Sequence, residues 1–228
     1  MSRVEATRVW PNTPHLSVFV FTRNDVMASL AAIAGLLEGD GCAFVGRSVL
    51  AESGAFTSTS QLVGADVAVE GTATNWLARL EGTDRMPISL AFHGPKVGPV
   101  ALRLANSGTA EDPNPIEVCC QAAGLSVPAR FRTPGERHRG KYLVSWSESL
   151  MTSMLTATDG EYSAIGIKAE LPTPSQLDSL EPDDPLLPHT WLIPAAPSHM
   201  RIATLDPLTD APDPTIMARA LHTLRTRR

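Results

Sequence analysis

The stretch His15-Leu16-Ser17-Val18-Phe19-Val20-Phe21-Thr22, running on through Asn24-Asp25 into Val26-Met27, decides the fold class. In an extended chain Leu16, Val18 and Val20 project to one side, and Phe19 and Phe21 to the other. Apolar side chains on both sides describe an interior strand that is covered above and below. Asn24 and Asp25 are good cap and first-turn residues for a helix. Val26, Met27, Leu30, Ile33, Leu36 and Leu37 then recur at helical spacing until Gly39 or Gly41 ends the run. A buried strand thus feeds a largely apolar helix.

The same alternation of elements continues outward. Cys42–Leu50 reads as a second strand and Gln61–Glu70 as a third, with the small polar stretch Glu52–Ser60 as the connection between them. Thr72 can cap a short helix through about Glu81, with Trp76, Leu77 and Leu80 as its stripe, and Pro87–Phe92 returns to strand. Strand, helix, strand, strand, helix, strand over 15–93 is the order of a ferredoxin-like βαββαβ unit, a superfold that by itself carries no function.

After the loop His93–Pro99, Val100–Ala105 and Ile116–Gln121 read as strands, the latter with Ile116, Val118 and Cys120 on one face and Glu117, Cys119 and Gln121 on the other. Arg130–Lys141 is locally basic, contains Pro134-Gly135, and reads as an exposed loop or a boundary. Tyr142–Trp146 reads as a strand, Ser147 or Ser149 as the cap of a helix bearing Leu150, Met151, Met154 and Leu155, and Glu161–Leu171 as an alternating strand.

From Pro172 to Pro214 there are ten prolines in 43 residues, too many for a regular sheet core. The expectation is an extended wrapping segment holding short pieces such as Thr190–Ile193 and Met200–Leu205. Asp213-Pro214 then opens a terminal helix with its cap and N1 proline in register.

The fold class that follows is α+β: a mainly antiparallel sheet with helices on one side, a Pro-rich C-terminal wrapping segment and a terminal helix. The organisation expected is an N-terminal arm (1–14), a first α+β half (15–129), a second α+β half (130–171), and the Pro-rich segment with its helix (172–228), together one compact unit.

At 228 residues the chain can bury a core without disulfide or metal staples. A net charge of −5 argues against a dedicated nucleic-acid binder. No apolar run is long enough to span a membrane, and the first fourteen residues are too polar for a secretory core. The three cysteines, Cys42, Cys119 and Cys120, are odd in number with two adjacent, a poor disulfide framework. They read as buried thiols in a reducing compartment, hence the cytoplasm.

No phosphate-binding loop, dinucleotide fingerprint, HExxH, CxxC or GxSxG occurs. The six histidines are scattered, so neither a metal nor a cofactor is expected. His93 ends a strand and opens a Gly/Pro loop with Lys96 behind it, which makes His93 with Cys119 the candidate catalytic pair. Arg130, Arg132, Arg137 and Arg139, with Phe131 and Tyr142 nearby, are candidate binding residues for an acidic surface or a nucleic-acid backbone. Trp10 and Trp191 lie in proline-flanked segments and are candidate interface anchors, whereas Trp76 and Trp146 read as core.

The function expected is a non-enzymatic protein-binding or assembly module in an accessory, immunity-type or virion-assembly role. It would engage another protein, or its own copies, through the Pro-rich region and exposed sheet edges, with no membrane contact. The alternatives are a small-substrate enzyme using His93 with a buried cysteine, and a nucleic-acid accessory protein acting through Arg130–Arg139.

Overall fold

The computed structural model describes residues 15–50, 62–68, 71–78, 88–104, 112–113, 115–122, 125, 131–167, 172–177, 179–180, 190–194, 200–203 and 222. In chain order the elements are β1 (His15–Phe21), α1 (Val26–Gly39), β2 (Ala43–Leu50), β3 (Leu62–Ala68), α2 (Ala73–Ala78), β4 (Ser89–Gly94), β5 (Gly98–Leu104), β6 (Ile116–Gln121), α3 (Pro134–Ala157), β7 (Tyr162–Ile167), α4 (Pro174–Leu177), β8 (Thr190–Ile193) and β9 (Met200–Ala203). All nine strands belong to one sheet of order β3-β2-β4-β5-β6-β1-β7-β8-β9, and every described pairing is antiparallel. The α+β class with a mainly antiparallel sheet is what the patterning predicts.

β1 is the interior strand its two-sided apolar pattern calls for. It lies between β6 and β7, and every residue from His15 to Phe21 is buried. The ferredoxin-like arrangement is not the one formed. There β1 would neighbour the strand after the second helix, β4, but here β5 and β6 intervene. The reason is local: the short turn between His93 and Gly98 closes β4 onto β5 as a hairpin, and β5 and β6 pair next, so the flank of β1 facing them is taken by β6.

α1, α2 and α3 share a single apolar cluster with one face of the sheet. Leu16, Val18 and Val20 of β1 meet Leu30, Ile33 and Leu37 of α1 and Leu143, Met151 and Met154 of α3 there. Asp25 caps α1, its side chain accepting from Ala28 N at 2.8 Å. The helix closes on Gly41 at φ +81°, with Cys42 N donating to Leu37 O at 2.9 Å; this left-handed turn is one that glycine takes without penalty. Thr72 accepts from Asn75 N at 3.2 Å, and Glu38 of α1 accepts from Ala73 N at 2.7 Å, so α1 helps to start α2. Trp76 and Trp146 pack half-buried against the rim of the core.

The largest departure from the sequence reading lies at 130–157. Pro134–Lys141 is not an exposed loop and Tyr142–Trp146 is not a strand. Both belong to α3, 24 residues long, whose start is a capping box at Thr133. Glu136 N donates to Thr133 Oγ1 at 3.3 Å, and Thr133 N donates to Glu136 Oε2 at 2.8 Å. Thr-Pro-Gly-Glu suits a turn and a helix start equally well. The helix wins because the extra turns bury Leu143 beside Leu150, Met151, Met154 and Leu155. At the far end Thr22 Oγ1 and Asn24 Nδ2 donate to Thr158 O at 2.9 and 2.8 Å, which ties the end of α3 to the chain leaving β1.

The opposite face of the sheet is covered differently. Phe21 and Tyr162 stack with ring centroids 4.7 Å apart, and the Tyr162 hydroxyl donates to Pro172 O. That bond holds the first turn of the Pro-rich segment against this face. Ser175 N donates to the Asp112 carboxylate at 3.0 Å. The two pieces expected within the Pro-rich segment, Thr190–Ile193 and Met200–Leu205, do contain strands. They form β8 and β9 and extend the sheet instead of merely running along it. The expected connection at Glu52–Ser60 and the N-terminal arm lie outside the described residues; of the expected terminal helix only His222 is described, in helical conformation.

Candidate functional site

Among the described residues, two places bring chemically active side chains together. The first is the face of the sheet away from the long helices. In the cross-strand register Arg103 of β5 sits opposite Glu117 of β6, and Glu117 opposite Phe19 of β1. Glu117 is buried and forms an ion pair with Arg103, and its other oxygen accepts from Ser17 Oγ at 2.6 Å. Burial disfavours the guanidinium charge, but Glu117 more than offsets this and Arg103 is held above its ordinary value. Around the pair lies a row of small side chains: Ala91, Ala101, Cys119 and Ser17 on successive strands. A carboxylate paired with a guanidinium and bonded by a hydroxyl is a satisfied structural group.

The sequence reading missed this cluster. The signal was present: Glu117 and Arg103 are the only charges of β6 and β5 respectively, and opposite charges on adjoining apolar strands pair when register sets them side by side.

The second place is the end of the sheet where the β4–β5 hairpin meets the start of α3. Arg139 reaches across and its Nη2 donates to Val97 O at 3.3 Å. Lys96 Nζ stands 5.3 Å from the centre of the Tyr142 ring. His93, Lys96, Arg137, His138 and Lys141 are all exposed. The structure thereby joins two features that lie far apart in the chain, the His93–Lys96 turn and the basic stretch.

The candidate residues divide accordingly. Arg137 is exposed, Arg139 is half-buried against the hairpin, and Arg132 is buried and donates to Leu125 O at 3.3 Å. Phe131 is 66% exposed. Arg130 and Trp10 lie outside the described residues. Trp191 contributes its backbone to β8, opposite Ala164 and Ile202. His93 and Cys119 are not neighbours: His93 pairs with Pro99, while Cys119 pairs with Ala101 one strand further on. Two strand spacings set their backbones about 10 Å apart across the sheet. Burial also disfavours the thiolate at all three cysteines. Burial pushes Cys119 far above the usual thiol range, with Glu117 adding to the effect. Burial pushes Cys120 up to about 12 and Cys42 up to about 11. All three are free and buried. Among the described residues there is no group of three His, Cys, Asp or Glu side chains able to hold a metal ion, and no helix is long and apolar enough to cross a membrane.

No protein-family model matches the chain, and no curated protein matches it. Among solved structures, the Pseudomonas aeruginosa T6SS protein PA0821 overlays on 75% of this chain at 12% sequence identity with a TM-score of 0.31. This chain spans 46% of that protein's length. A likeness of this order carries no argument about shared fold or function.

Proposed function

We propose that the protein is a non-enzymatic binding or assembly module that engages another protein, or a second copy of itself, along the edges of its sheet. The observation that carries the reading is the placement of β9: the Pro-rich segment supplies the outermost of the described strands at one end of the sheet, with β3 outermost at the other. An edge strand presents backbone N–H and C=O groups that a partner strand can pair with. Proline around such a strand lowers the ordering entropy of an extended contact. The separation of His93 from Cys119 and the burial that disfavours the thiolates support a role without turnover, and the three free thiols suit a reducing compartment such as the cytoplasm.

The test combines mass measurement in solution with a proline scan of Met200–Ala203. Proline at positions whose N–H points away from β8 should abolish association and leave the fold intact. Proline at the alternate positions should detach β9 itself. A chain that is strictly monomeric and captures no protein at any concentration would count decisively against the reading.

A further inference from the structure

We draw no further inference here: the strongest candidate, the outward stripe of small residues Ala28, Ala32 and Gly35 along α1, is an uncharged helix face with open space beyond Gly35, and nothing in the structure shows what covers it.

Discussion

Glu117 and Val118 are neighbours in β6 and end up in opposite worlds. Val118 points into the apolar cluster beneath α1 and α3. Glu117 points to the other face, equally closed to water, where Arg103 and Ser17 satisfy it. On the helix face stability comes from area removed from water and from close packing, each side chain contributing nearly by itself. On the opposite face it comes from mutual satisfaction, where each charged member is tolerable only because of its partners. One strand thus carries two different ways of holding a sheet together.

The sharpest way to break this contrast is Glu117→Leu, which leaves the half-buried Arg103 without its counter-ion. The expected loss is about 3 to 5 kcal/mol in denaturant unfolding. Adding Arg103→Met should restore most of it, since removing both charges leaves a closed apolar surface. A double variant as unstable as the single one would mean that the pair is not the unit. Next in size is Val118→Ala on the helix face, with an expected loss of about 2 kcal/mol from lost transfer energy and the cavity left behind, and no second substitution that restores it by charge balance.

Thr133→Ala, at the start of the helix that covers the apolar face, should lose about 1 kcal/mol. The effect depends on pH in a defined direction. The Thr133 backbone and hydroxyl hold the Glu136 carboxyl below its ordinary value. That contribution is present above the unfolded carboxyl value of 4.5 and fades as pH falls through the lower folded value. The difference between variant and parent should therefore shrink in acid, and a difference that grows there would refute the capping box.

The smallest expected effect is an absence of reaction. Cys119 and Cys120 repeat the comparison, one thiol on each face, and neither should react with an aromatic disulfide reagent at neutral pH while the chain is folded. Faster labelling of Cys119 would show that the polar face opens first. Both thiols stay protonated when folded and ionise when unfolded, so stability should fall as pH rises past the ordinary thiol value of 9.0.

Much of the fold was legible because periodicity reports burial. The two-sided apolar pattern of His15–Phe21 required an interior strand, and Asn24-Asp25 with Gly39 or Gly41 bracketed α1, the structure choosing Asp25 as the cap and Gly41 as the left-handed turn. α3 was cut short in the reading because Thr133-Pro134-Gly135-Glu136 is locally ambiguous and Tyr142-Leu143-Val144 favours extended chain. Only the sheet face waiting beneath them makes the longer helix the better solution. The candidate sites were legible as residue types, and the structure changed their company: His93 lies apart from Cys119, and Arg132 is turned inward.

What the sequence by itself determined is the alternation of buried strand and buried helix, because side-chain spacing along one element needs no knowledge of its neighbours. Strand order, and with it the Arg103–Glu117–Ser17 cluster and the meeting of Lys96 with α3, was decided only in three dimensions. Pairing between residues fourteen or a hundred positions apart depends on which strand edges remain open after the local hairpins have closed.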